Sequence, residues 1–184
     1  MTRSPPVFAN ARPVLCVIIK IPGRAERGGN LMNGSLQLII FTLNEQRYAL
    51  YLSVVERIFR IVEMTPLPKA PEIILGVINV EGRIIPVLDI RKRFRLPERD
   101  IDLSDRLIIV RTSGRVVALA ADTVTGVVER SEEEVVAAEK ILPGLKYVDG
   151  VLKLEDGLVL IHDLDEFLSL DEEKTLEGAL RSLT

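Results

Sequence analysis

Cysteine and histidine each occur once in the 184 residues, as Cys16 and His162. A lone cysteine forms no internal disulfide and no cysteine-based metal cage, which fits a reducing compartment. A lone histidine means that any imidazole chemistry rests on His162. No apolar run is long enough to span a bilayer: residues 14–19, between Pro13 and Lys20, fall far short of the ~20 a helix needs. That run is also short for a secretory core, and no small-residue cleavage site follows it. These absences predict a cytoplasmic protein. A net charge of −3 supplies no global attraction to nucleic acid or to an anionic membrane. G-x-S-x-G, P-loop and G-x-G-x-x-G patterns are all missing, so the common marks of a nucleophile elbow or a nucleotide cradle are not found.

Long amphipathic helices are scarce too, and what fills the chain instead is short β-rich runs between turn residues. The length suits one compact domain or two small lobes, enough to bury roughly 70% of the unfolded surface. Residues 1–34 are rich in proline and glycine without a clear period, and are expected to form a disordered extension. Met32 stands directly before Asn33-Gly34-Ser35, and Glu26-Arg27-Gly28-Gly29 can be encoded by the purine-rich kind of message that precedes bacterial start codons. Translation is therefore expected to begin at Met32, which intact-mass measurement decides.

Four pairs of runs read as hairpins: residues 36–43 with 47–52, 75–80 with 84–90, 107–112 with 115–121, and 151–154 with 158–162. Their turns carry Asn44-Glu45-Gln46, Glu81-Gly82, Ser113-Gly114 and Glu155-Asp156-Gly157. Pro66, Pro68 and Pro71 fix φ and remove donors, so the stretch before Glu72 is an extended connector barred from a central ladder. Runs such as Leu38-Ile39-Ile40-Phe41 and Leu107-Ile108-Ile109-Val110 are apolar on both pleat faces, so both faces must be covered. Small barrels packed on one another achieve that. Asp163 with Glu166, Ser169 with Glu172 and Ser131 with Glu134 have capping-box spacing. After Ser169, Leu176, Ala179, Leu180 and Leu183 share a helical face expected to lie on the barrel surface. After Ser131, Val135-Val136 leave helix and strand equally open.

These residues, taken in order, resemble the CheW-like domain of bacterial chemotaxis coupling proteins over about residues 36–170. The family's first hairpin carries an aromatic-small-aliphatic pattern and then Val-x-Glu-Ile, matched by Tyr48-Ala49-Leu50 and Val55-Glu56-Arg57-Ile58. Its Pro-x-x-Pro connector into G-V-x-N-x-R-G and Ile/Val-Pro-Val-x-Asp-Leu is matched by Gly76-Val77-Ile78-Asn79-Val80-Glu81-Gly82 and Ile85-Pro86-Val87-Leu88-Asp89-Ile90. V-D-x-V-x-x-V corresponds to Ala121-Asp122-Thr123-Val124-Thr125-Gly126-Val127, and the closing element to Tyr147-Val148-Asp149-Gly150-Val151 with His162-Asp163-Leu164.

The resemblance implies a mainly β fold of two interlocked five-stranded SH3-like barrels with short helices, spanning residues 35–170, followed by a C-terminal helix over 171–184. It implies a non-catalytic adaptor in receptor arrays, with no cofactor or metal. Its partners would be the cytoplasmic tips of methyl-accepting chemoreceptors and the regulatory domain of a CheA-type histidine kinase. Family positions lining the receptor groove map to Val55, Leu107 and Val127, with Arg57, Gly76 and Glu81 beside them; no kinase-binding residue is assigned. Two of these depart from the family: Arg57 stands where Glu is usual and Glu81 where Arg is usual. The exchange predicts an ion pair of reversed polarity across the groove between barrels, acting on partner choice more than on stability.

Each of these residues also has a plainer reading. Val55, Leu107 and Val127 also read as ordinary core, and Gly76 as relief of crowding between Leu75 and the proline connector. His162 beside Asp163 and Asp165 lacks metal-ligand spacing, and Asp163 is better used as a cap. Arg91-Lys92-Arg93-Phe94-Arg95 suggests a small β-barrel nucleic-acid binder as the alternative function. Glu98, Asp100, Asp102 and Asp105 nearly balance it, so a solvated helical turn is expected there. An enzyme built on His162 and Asp163 is the remaining rival.

Overall fold

A computed structural model describes residues 35–141, 147–155 and 157–182. Residues 1–34 with Cys16 and Met32, together with Asp156, expected in a turn, and Leu183, expected on a helix, lie outside the described residues. Eleven strands and three short α-helices are present among them.

Sheet A runs in the order β8-β1-β2-β11-β10-β9, from β8 (Thr123–Ser131), β1 (Ser35–Leu43), β2 (Gln46–Tyr51), β11 (Gly157–His162), β10 (Val148–Leu154) and β9 (Val135–Ala137). Sheet B runs β3-β6-β7-β5-β4, from β3 (Val55–Arg60), β6 (Arg106–Arg111), β7 (Val116–Ala121), β5 (Arg83–Leu88) and β4 (Ile74–Val80). The whole of sheet B is inserted between two parts of sheet A, which is how the two β-barrel-like halves interlock. Each half contains one short parallel contact, Leu160↔Tyr48 with Ile161↔Ala49 in sheet A and Val87↔Ala118 with Leu88↔Leu119 in sheet B. Sheet A holds a sixth strand, the three-residue β9, beyond the five expected.

The strands that read as apolar on both faces are buried on both. Leu38 and Ile40 of β1 enter a core private to sheet A with Leu152, Val159 and Ile161. Ile39, Phe41 and Leu43 enter a shared core with Val55, Ile108, Val110 and Leu119. On β6 the alternation repeats, Leu107 and Ile109 facing a core private to sheet B. Period-2 side-chain direction thus divides one apolar run between two cores.

All four expected hairpins form. Asn44 and Glu45 both have positive φ (51° and 68°) and join β1 to β2 as a two-residue turn, with Leu43 paired to Gln46. Such a turn follows the right-handed twist of its strands. The hairpin expected over residues 84–90 ends earlier: β5 stops at Leu88, and Asp89 caps α1 (Ile90–Phe94) by accepting from the Arg91 amide at 3.0 Å. Strand follows Ser131, since Glu132–Glu134 form one 3₁₀ turn before β9 and then α2 (Ala138–Ile141). The proline connector meets sheet B at its edge, through a bridge between Thr65 and Val77 of β4. Helix α3 (Leu170–Arg181) begins with the Ser169–Glu172 capping box and buries Leu176 and Ala179 against Leu67 and Val77.

Candidate functional site

Strands β3 and β4 are the two ends of the sheet B order. Side-chain ion pairs span the seam between β3 and the β4–β5 hairpin. Positive φ at Glu81 (54°) and Gly82 (84°) makes the tight turn, and the Asn79 side chain accepts from the Gly82 amide at 2.9 Å. The turn delivers Glu81 to Arg57 of β3, with Nη1 donating to Oε1 at 2.8 Å and Nη2 to Oε2 at 3.5 Å. Beside it Glu56 accepts from Arg83 at 3.2 Å and from Arg111 of β6. Hydrogen bonding and charge from Arg57 hold the Glu81 carboxyl below its ordinary pKa. The two exchanged charges therefore meet, but inside sheet B and not across the space between the sheets, because both positions belong to elements of that sheet.

The remaining predicted groove positions separate. Val55 is buried in the shared core and Leu107 in the core of sheet B. Val127, on β8, is 44% exposed. Apolar surface at the junction comes instead from partly buried Leu52, Val54 and Val124, which pack against the cluster holding Val55. Sequence reading missed these three, although their adjacency to Val55 and Val127 was a usable signal. Gly76 has a steric reason: a Cβ there would stand 2.6 Å from the Thr65 carbonyl oxygen. Its hydrogen depends on the proline connector lying against β4, the crowding reading in modified form.

His162 is 2% exposed and sits among the rings of Phe94 (4.4 Å), Tyr48 (5.3 Å) and Phe167 (5.7 Å). Its Nδ1 lies 2.6 Å from the Tyr147 carbonyl oxygen, which only accepts, so Nδ1–H donates. Nε2 is buried without a partner among the described residues. Burial lowers the pKa to about 4, against a smaller opposing effect of the Tyr147 bond, so the ring is neutral. Asp163 is used as a cap, accepting from the Asp165 amide at 2.9 Å. Among the described residues this imidazole is closed off from solvent.

The basic run forms the helical turn expected, with Lys92 and Arg95 exposed, but the turn is only partly solvated. Arg91 is buried and donates to Asp122; Arg93 donates to Glu172 of α3 at 2.6 Å; Phe94 stacks on Tyr48 at 4.9 Å between ring centroids. Lys92 alone of these pairs locally, 3.9 Å from Glu98. Two of its charges are thus consumed internally, which leaves little for a phosphate backbone and disfavours the nucleic-acid alternative.

Exposed ion pairs and half-buried apolar side chains on rigid strands form contact surfaces, and that is what this region offers chemically. A family model described as CheW-like domain matches residues 37–172. The chemotaxis protein CheW of Rhizobium meliloti (strain 1021) is 26% identical over 147 residues, covering 79% of this chain and 95% of the relative. That of Bacillus subtilis (strain 168) is 28% identical over 144 residues, covering 76% and 90%. The crystal structure of the scaffolding protein TtCheW from Thermoanaerobacter tengcongensis superposes with a TM-score of 0.69 at 30% identity, covering 74% of this chain and 94% of that one.

Proposed function

This chain belongs to the CheW-like family and is a chemotaxis-type signalling adaptor, and from that premise we propose that it couples methyl-accepting chemoreceptors to a CheA-type histidine kinase without catalysing a reaction. One surface, taken by a receptor hairpin, comprises Arg57 and Glu81 at the sheet B seam, Val127 on β8, and the partly buried Leu52, Val54 and Val124; Val55, Gly76 and Leu107 hold the backbone beneath it. A second surface takes the kinase's regulatory domain; its residues are not assigned. Kinase control then follows from geometry, since the adaptor fixes how receptor movement is transmitted. The work is done in the cytoplasm at receptor arrays, by a coupling module of residues 35–170 followed by α3, which ends at Arg181 and not at 184 as expected. Burial of the lone imidazole is the observation that carries the non-catalytic reading: its Nε2 faces neither solvent nor a proton-transfer partner among the described residues. The test is a pull-down of the full chain with a receptor-tip fragment and the separate kinase regulatory domain. Simultaneous retention of both is expected, and failure to retain either one overturns the proposal.

A further inference from the structure

Among the described residues the chain passes between the sheets twice. It leaves sheet A through the 3₁₀ turn Leu52–Val54, which buries no residue and has no side-chain cap. It returns at Asp122, the single residue between β7 and β8. That residue is held from every side. Its amide donates to the Thr42 carbonyl of β1 at 3.0 Å, and its Oδ2 accepts from the Asn44 amide at 2.7 Å. Its Oδ1 accepts from Arg91 and, at 3.0 Å, from Arg99. Arg91 stands on α1 directly after β5, while Arg99 precedes β6 and is fixed by Asp105 at 2.6 Å. The Asn44 amide from the sheet A side and two guanidinium groups from the sheet B side therefore converge on one carboxylate.

Strand β8 starts at Thr123, and β3 starts directly after the other crossing. These edge strands carry Val127 and Arg57 respectively. We propose that Asp122, gripped by Arg91 and Arg99, is a positioning residue that sets the angle between the sheets and so the spacing of β3 and β8; its functional consequence rests on the reading of those strands as the receptor surface. Charge-assisted hydrogen bonds are directional, whereas the aromatic contact of Phe94 with Tyr48, His162 and Phe167 supplies adhesion with less angular demand. The carboxylate node fixes orientation, and the rings hold the halves together.

Spin labels on the full chain carrying Cys16→Ser test this. One pair, Arg60→Cys with Thr125→Cys, measures between the sheets; a second, Thr125→Cys with Lys153→Cys, measures within sheet A across strands β8 to β10. Asp122→Asn removes one charge and turns an amide donor toward Asn44. A broadened or shifted 60–125 distance distribution is expected with the 125–153 distribution unchanged, well below the melting temperature. Receptor-tip binding should weaken about fivefold or more. If Asp122→Asn does not fold, Arg99→Gln, which keeps the buried Arg91 pair, gives the reading. Unchanged 60–125 distances in a folded variant overturn the proposal whatever the partner does. Altered distances with unaltered receptor affinity overturn the positioning role. A parent chain that binds no receptor fragment overturns the functional reading and leaves the distance result to stand by itself.

Discussion

Arginine and carboxylate meet in two clusters built under different dielectric conditions. At the seam of sheet B, Glu81 (72% exposed) pairs with Arg57 (28%) and Arg111 (67%) with Glu56 (22%), so water reaches and screens one partner of each pair. At the sheet crossing, the Arg91 side chain is 7% exposed and has already lost its hydration. An exposed pair is nearly neutral in folding and is therefore free to vary in sign. A buried arginine depends on its carboxylate, because removing one partner strands the other charge. The polarity exchange expected at Arg57 and Glu81 falls on the exposed cluster, and the aspartate expected from the V-D-x-V-x-x-V resemblance, Asp122, falls on the buried one.

The largest effect should come from Asp122→Ala, which strands Arg91. We expect a loss of roughly 3–5 kcal/mol in urea unfolding. Burial works to raise the Asp122 pKa, but the hydrogen bonds from Arg91 and Asn44 and the charges of Arg91 and Arg99 hold it below its ordinary value. A cost under about 1 kcal/mol would put both clusters in one class.

His162 supplies the contrasting case of a buried group left without a counter-charge. Its pKa falls from 6.5 to about 4 by burial, so between those values the unfolded chain binds the proton more tightly. Stability is then fully present above pH 6.5 and lost as pH falls toward 4, by up to roughly 3 kcal/mol. His162→Phe should flatten that part of the stability-against-pH curve. An identical slope in the variant would mean that carboxylates alone produce the acid sensitivity.

How much of this was legible in the sequence depended on separation along the chain. Hairpins were readable because turn residues and alternating runs lie side by side, as at Asn44-Glu45 and Glu81-Gly82. Caps at Ser131 and Ser169 were readable for the same reason. The partners of the basic run were not, because Asp122 lies 31 positions from Arg91 and Glu172 lies 79 from Arg93. A local charge count set Glu98, Asp100, Asp102 and Asp105 against the run as a whole and missed both long-range pairs. Strand β8 was visible only as a motif, since none of its nine residues is buried and no apolar alternation marks it. The end of β5 was misplaced because Ile90 continues an apolar run while Asp89 turns the chain into a helix. Apolarity also could not tell buried Val55 and Leu107 from exposed Val127.

A smaller effect is expected from Glu56→Gln, which removes the carboxylate shared by Arg83 and Arg111. Its cost should be at most about 1 kcal/mol and should shrink further in high salt. Salt-independent loss beyond that would mean that the seam is an essential closure of sheet B.

The least effect on folding and the most specific effect on recognition should come from exchanging Arg57 and Glu81. Arg57→Glu sets two carboxylates against each other across the turn, and Glu81→Arg sets two guanidinium groups there. Each single variant should bind the receptor fragment more weakly, and the double variant should recover the unfolding midpoint. It should not recover the original receptor preference, because the sign presented to the partner helix is now reversed at both positions. Thermal unfolding and binding to fragments carrying either charge at the facing position supply the cycle. Coupled midpoints with a changed order of preference would establish that this seam encodes partner choice; strictly additive effects would show that the two side chains act separately, despite standing 2.8 Å apart.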